Sequence, residues 1–197
     1  MKLLIGNDLH IGSKHATHTL QELYDVLEYN LLITNEKVIF AGDIFDLANC
    51  KRSEVGYWIT WANAVKKDVE ENGGTFLLGN HELNQIDAAN DVFFDGIYVC
   101  HGDLGFFWPV EKAMKYRLKA PGAGFLKRTA SQYYDVFRKL KPFKPDAQFY
   151  AACDKVIAEH NPRVIILAHF HPEENIDFMY KTTRILILKR GIQEIEI

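Results

Sequence analysis

Five short clusters of acidic, amide and imidazole side chains recur along the 197 residues: Asp8-Leu9-His10, Gly42-Asp43-Ile44-Phe45-Asp46, Gly79-Asn80-His81-Glu82, His101-Gly102-Asp103 and Ala168-His169-Phe170-His171. Singly, each is weak. A lone Asp-x-His or Gly-Asp is usually a turn, and paired histidines can end a strand with backbone partners. Together they supply two carboxylates (Asp8, Asp43), one amide oxygen (Asn80) and four imidazoles (His10, His101, His169, His171). Such a mixed nitrogen and oxygen set suits Mn, with Fe or Zn as alternatives, better than Mg or Ca, which prefer oxygen alone. A single ion would not take seven protein ligands and keep a position open for substrate. Two divalent ions sharing one bridging carboxylate would use them all. Paired ions about 3.5–4 Å apart stabilise the attacking and leaving oxygens of a phosphoryl displacement.

The elements needed to bring these clusters together can be read from the apolar pattern. Candidate strands run over 2–6, 37–42, 75–79, 97–101 and 163–169, and each ends in one of the clusters. Between the first three strands lie two helical patterns. Leu20, Leu23, Tyr24, Leu27 and Leu31 form one, with Thr19 and Glu22 as a capping box; Trp58, Trp61, Ala62, Val65 and Val69 form the other, with Asn72-Gly73-Gly74 as its stop. Strands alternating with helices predict an α/β fold. In open α/β sheets ligands gather beyond the carboxyl ends of strands, so the five tips should converge. Three further strands are predicted near the end, over 175–180, 183–188 and 192–197, the last two joined near Lys189-Arg190-Gly191.

Residues 104–150 have a different texture, aromatic, basic and broken by prolines. They hold ten basic and three acidic residues, a net +7, which leaves −10 for the rest of a chain whose total is −3. An acidic body beside a basic segment suits an anionic ligand held between cations from two sources, those of the body being bound metals. The spacing of Leu126, Ala130, Tyr133, Phe137 and Leu140 predicts one helix here, and another runs from Pro145 to Glu159, closed by Asn161-Pro162. One domain spanning 1–197, with 104–150 as a helical insertion or lid, is the economical reading. Lys112, Lys115, Arg117 and Arg128 are its candidate contacts to phosphate oxygens.

The 48% hydrophobic content is that of a globular chain, and no apolar run is long enough to span a bilayer. The N-terminus turns polar too early for a signal peptide. Cys50, Cys100 and Cys153 are too few and scattered for a disulfide framework, so each is expected as a reduced core or helix residue, and the chain as cytoplasmic. His15 and His18 are expected as solvated loop and helix-start residues, and His160 at a helix C-terminus. Asp103 could brace His101 or simply close a turn.

Taken in order, Asp-x-His, Gly-Asp-x-x-Asp, Gly-Asn-His-Glu, His and His-x-His resemble the calcineurin-like metallophosphoesterases over nearly the whole chain. The resemblance implies two mixed β-sheets flanked by helices in four layers, with a helical insertion. It implies that Asp8, His10 and His171 hold one metal, Asn80, His101 and His169 the other, and that Asp43 bridges them. His81 would be the catalytic histidine, a general acid oriented by Asp46, and the nucleophile a hydroxide held between the metals. The family usually has glycine where Ala168 stands, a change tolerated unless that backbone needs positive φ.

The implied activity is hydrolysis of a phosphodiester or phosphomonoester in a phosphorylated small molecule or nucleotide. The insertion layout is similar to the UDP-diacylglucosamine pyrophosphohydrolase branch. That branch usually has arginine at the position of His81, so a pyrophosphohydrolase of a nucleotide-linked lipid or sugar is the alternative. A nuclease acting on single-stranded nucleic acid is a further one. So is a non-enzymatic scaffold, as in the retromer subunit of similar fold.

Overall fold

The computed structural model describes residues 1–29, 37–119, 121–122 and 143–197. Among these residues, nine strands form two sheets. The first runs β3 (Thr75–Leu77), β2 (Lys37–Ala41), β1 (Lys2–Asn7), β9 (Gly191–Glu196), with β1, β2 and β3 parallel and β9 antiparallel to β1. The second runs β4 (Asp91–Phe94), β5 (Ile97–Cys100), β6 (Val164–Leu167), β8 (Thr183–Ile187), β7 (Ile176–Tyr180), with β5, β6 and β8 parallel and the two edges antiparallel.

The inner strands are continuously apolar because both their faces are covered. Leu3 and Ile5 of β1, with Ile39 and Ala41 of β2, pack against Ile97 and Val99 of β5 and Val164 and Ile166 of β6 between the sheets. The alternate residues Leu4, Val38 and Phe40 face outward onto α1 (Leu20–Tyr29) and α2 (Val55–Glu71). On the opposite side Tyr98, Cys100, Ile165 and Leu167 meet Phe149, Cys153 and Val156 of α4 (Ala147–His160). The result is four layers, helix, sheet, sheet, helix. Each fully buried aliphatic side chain in them contributes roughly 1.5–3 kcal/mol.

The helix boundaries follow local chemistry. Thr19 N donates to Glu22 Oε2 at 2.6 Å and Glu22 N to Thr19 Oγ1 at 3.2 Å, so the capping box forms. α2 stops where Gly73 takes φ +77° and its N–H returns to the Glu70 carbonyl at 3.1 Å. α4 opens on Asp146, whose carboxylate accepts from Phe149 N at 2.8 Å, and ends at a left-handed Asn161. His160 is its last residue and stacks on Tyr98. The three cysteines are buried and unbridged.

Two elements lie outside those that the sequence predicts. β4 was not anticipated: it is a short, half-exposed edge strand, Asp91-Val92-Phe93-Phe94, paired to β5 through an Asp95-Gly96 turn at positive φ, a strong two-residue hairpin signal. Nor was α3 (Val110–Arg117), which starts directly after Pro109. β8 and β9 are joined near Lys189-Arg190-Gly191 as expected, and this connection crosses from the second sheet to the first, so the two do not pair. The predicted helix around Leu126–Leu140, with Leu31 and Arg128, lies outside the described residues.

Candidate metal centre

The five clusters meet at the carboxyl ends of β1, β2, β3, β5 and β6. Backbone geometry turns them inward. Asp8, His10, Asp43, His169 and His171 all have φ between 48° and 65°, the left-handed region that Asp, Asn and His enter at lower cost than other residues with side chains. So many strained residues in one place mark a site whose surroundings over-determine it. Two glycines are required by close approach. A Cβ on Gly79 would overlap the Asp43 carboxylate, and one on Gly42, at φ +86°, would come within 2.7 Å of the His101 ring. Ala168 needs no positive φ and sits buried between the sheets, so alanine in place of glycine costs the site nothing.

Among the described residues three groups of donor atoms result; one is His10 with Asp46 and His81, and the other two follow the expected ligand sets. In the first of these two, Asp8, His10 and His171 lie together, with His171 Nε2 2.6 Å from Asp8 Oδ1. In the second, His101 Nε2 stands 3.2 Å from Asp43 Oδ2, 3.3 Å from Asn80 Oδ1 and 3.1 Å from His169 Nδ1. Four lone-pair donors aimed at one another need a cation or protons between them. His10 Nδ1 sharpens that point, since it is buried and has no hydrogen-bond partner among the described residues. An unsatisfied buried donor or acceptor is costly. The residues present therefore fit a pair of divalent ions, the complement typical of the family that the motifs resemble.

His81 stands between the groups, its ring 4.6 Å from that of His10 and its Nε2 3.9 Å from Asp43 Oδ2. Its Nδ1 is 2.6 Å from Asp46 Oδ1, and its backbone N–H donates to Asp43 Oδ1 at 2.7 Å. Burial disfavours the imidazolium, but the Asp46 and Asp43 carboxylates outweigh it and push the pKa up to about 9. Burial likewise opposes ionisation of Asp46, and the His81 charge overcomes it, lowering that carboxyl to about 2. For His10 burial wins, seconded by the His81 charge, and its pKa falls to about 3. His101 follows His81: burial is outweighed by Asp43, and the pKa rises to about 10.

Three supporting residues received no role from the sequence, although Glu82 belongs to the Gly79-Asn80-His81-Glu82 cluster. Asn49 donates its backbone N–H to Asp46 Oδ1 at 2.9 Å and sits 3.3 Å from His81 Nδ1. Glu82 is fully buried and its carboxylate accepts from the N–H groups of Asp43 at 3.0 Å, Phe45 at 3.0 Å and Gly79 at 2.8 Å. It locks the Gly-Asp turn to the Gly-Asn turn. Burial and then the Asp43 charge raise its pKa to about 7. Arg190 donates to the carbonyls of Asp8 and His15, at 3.1 and 3.0 Å.

The insertion contributes an aromatic wall. Phe107 and Trp108 pack on His169 with ring centroids 4.7 and 5.8 Å apart, and the Lys112 ammonium lies 5.4 Å from the Trp108 ring centre. Burial and then the charges of Asp43 and Asp46 push the Tyr116 phenol up to about 12, as expected of a hydroxyl facing the carboxylates. Lys112 and Lys115 are exposed. Arg117, expected beside them as a phosphate contact, is instead 1% exposed and bonded to Asp103, Asn90 and the Leu78 carbonyl. Asp103 consequently does not brace His101, whose Nδ1 lies 3.0 Å from the Ala41 carbonyl. His15 and His18 are half-buried and belong to neither donor group.

No curated protein matches the sequence. Among solved structures, a dimetal phosphatase from Danio rerio superposes with a TM-score of 0.52 at 11% identity, covering 98% of this chain and 91% of that one. A cold-active protein-tyrosine phosphatase from a Shewanella species gives 0.48 at 13% identity, over 99% and 75% of the two chains. Vacuolar protein sorting 29 from Cryptosporidium parvum gives 0.45 at 11%, over 96% and 74%. The first likeness is one of fold. No helix among the described residues is long and apolar enough to cross a membrane. The calcineurin-like phosphoesterase model matches residues 1–193, and with the five clusters converging at the strand ends of two mixed sheets, the chain belongs to that family.

Proposed function

We propose that the chain is a metal-dependent hydrolase of phosphodiesters or phosphomonoesters. Asp8, His10 and His171 would hold one divalent ion and Asn80, His101 and His169 the other, with Asp43 shared. The observation that carries this reading is the placement of His81: a proton-bearing imidazole, steered by Asp46 at 2.6 Å, stands between the two donor groups. When bound, the ions would supply positive charge for the phosphoryl oxygens and lower the pKa of water; the mixed donor set suits Mn, Fe or Zn.

The protein's own part follows from its residues. His81 can pass a proton from Nε2 to the leaving oxygen, while Asp46 keeps Nδ1 engaged and favours the protonated ring. Asn49 fixes Asp46 in turn. Phe107 and Trp108 exclude water on the His169 side, and Tyr116 offers a hydroxyl toward the carboxylates. Lys112 over Trp108 favours a substrate carrying both a flat group and negative charge. That supports the second reading, a nucleotide-linked pyrophosphate or a nucleic-acid strand. Phe107, Trp108, Lys112 and Tyr116 then serve as the substrate-facing wall of one domain.

The test is turnover with Mn²⁺ on aryl phosphomonoester, aryl phosphodiester and nucleotide pyrophosphate substrates, for wild type and His81→Ala. Hydrolysis of an aryl ester by the wild type, reduced at least a hundredfold in the variant, supports the proposal. Turnover of the pyrophosphate alone selects the second reading. No turnover of any substrate by protein loaded with two ions leaves the scaffold.

A further inference from the structure

Arg117 ends α3 yet is 1% exposed, and its guanidinium ties three separate segments. Nε donates to Asp103 Oδ2 at 2.9 Å and Nη2 to Asp103 Oδ1 at 2.6 Å, a two-pronged hold on one carboxylate. Nη2 also donates to the Leu78 carbonyl at 3.3 Å, and Nη1 to Asn90 Oδ1 at 2.6 Å. Asp103 follows His101 by two residues, and Leu78 precedes Asn80 by two.

Those two residues belong to different sheets. Asn80 follows β3, an edge of the first sheet, and His101 follows β5 in the second; β3 and β5 share no ladder. Strand pairing therefore leaves unfixed the 3.3 Å between Asn80 Oδ1 and His101 Nε2. The contact of His101 Nδ1 with the Ala41 carbonyl orients the His101 ring but does not reach Asn80. The Arg117 guanidinium reaches both loops at once. We propose that Arg117 is a positioning residue through which the insertion sets the separation of Asn80 and His101, and with it the affinity of the second donor group for its ion. This rests on the reading that Asn80, His101 and His169 hold one metal.

The chemistry of the pair supports it. A buried ion pair adds little net stability over apolar residues of similar volume, so its retention points to geometry. Lysine cannot reproduce the planar fork. Outer partners that orient ligands typically change metal affinity 10–100-fold when removed.

Mn²⁺ alone is titrated into chelated full-length protein, followed by calorimetry and by the spin resonance of free Mn²⁺. The variants are Arg117→Lys, the charge-free pair Arg117→Met with Asp103→Leu, and Asn80→Ala. Both Arg117 variants are expected to keep the wild-type circular dichroism and to bind the first ion within about twofold. The second ion is expected to bind at least about tenfold more weakly, with kcat falling more than KM rises. Wild-type affinity for both ions, or equal weakening of both, overturns the proposal. So does failure of both variants to fold, since Arg117 would then be a folding determinant. Asn80→Ala separates the two levels. If it weakens the second ion and the Arg117 variants do not, only the positioning role fails; if it leaves both ions unchanged, the ligand assignment fails first.

Discussion

The two donor groups are alike in composition and unlike in how they are held. Asp8 and its neighbours are braced by the turn between β8 and β9. Asn7 donates to Asp8 Oδ2 at 2.8 Å and to the Lys189 carbonyl at 3.0 Å, and Arg190 reaches the Asp8 carbonyl. Asn7 and Asp8 are buried, the bonds to the Lys189 carbonyl and from Arg190 are part-buried, and each contact is a single hydrogen bond. The second group is braced by two buried charged side chains, Glu82 on three backbone amides and Arg117 on two ligand loops. The contrast follows from topology. β1 is central, paired on both sides, so its tip is already placed; β3 is an edge and shares no pairing with β5, so their tips need side chains to meet.

His81 touches both groups, so its loss is the largest expected effect and the one that should not distinguish them. His81→Ala is predicted to lower turnover by about 10²–10⁴-fold, the usual contribution of a general acid. Both ions should still bind as in wild type. Selective loss of one ion would make His81 a ligand and break the symmetry assumed for it.

Removing a brace should distinguish the halves. Glu82→Ala strands three buried N–H groups, at about 1–3 kcal/mol each, and is predicted to cost about 3 kcal/mol or more in urea unfolding. Asn7→Ala loses bonds to one carboxylate and one carbonyl and should cost about 1–2 kcal/mol. A larger loss for Asn7→Ala would reverse the comparison.

The chelated protein should show the same division in its pH dependence. His101 has a folded pKa of about 10 against an ordinary 6.5, so it contributes stability below 6.5 that is lost as pH rises through 10. His10, at about 3, is held neutral and favours folding above 6.5, a contribution lost as pH falls from there toward 3. Glu82, raised to about 7, loses stability as pH rises from 4.5 and so offsets the His10 gain, while His81, raised to about 9, adds to the alkaline loss of His101. Urea midpoints of metal-free protein should therefore be nearly level from pH 5 to 6.5 and fall above it, with His101→Asn lessening the alkaline fall without abolishing it. The smallest effect belongs to a site remote from both groups: Thr19→Ala removes the α1 cap and should cost about 1 kcal/mol without changing either ion's binding.

What the sequence made legible follows the same line. The candidate ligands could be read because chemistry restricts them to Asp, Asn and His, and each follows an apolar run that reads as a strand. The braces could not. Glu82 stands in the Gly-Asn-His-Glu cluster, but its capping of three amides could not be read there, because two of them, those of Asp43 and Phe45, lie far away in the chain. Arg117 sits in a segment so rich in cations that it reads as one more exposed charge. Its burial depends on Asp103, Asn90 and Leu78, none of them within a helical turn of it. Likewise β4 was missed because an edge strand buries only alternate residues, and the crossing at Lys189-Arg190 because two adjacent strands look the same whether or not they pair.

The left-handed backbone at five candidate ligands has a consequence for how such a centre can change. At Asp8, His10, Asp43, His169 and His171 the main chain accepts a short list of residues, and Asp, Asn and His are on it whereas β-branched ones are not. Exchanges within that list leave the backbone conformation undisturbed while altering charge and donor type. The centre can thus be retuned, harder or softer, more or less negative, one ligand at a time and without refolding the loops that carry it. The two remaining positions, Asn80 and His101, lack this backbone signature; there the cost of an exchange would fall on the side-chain braces instead.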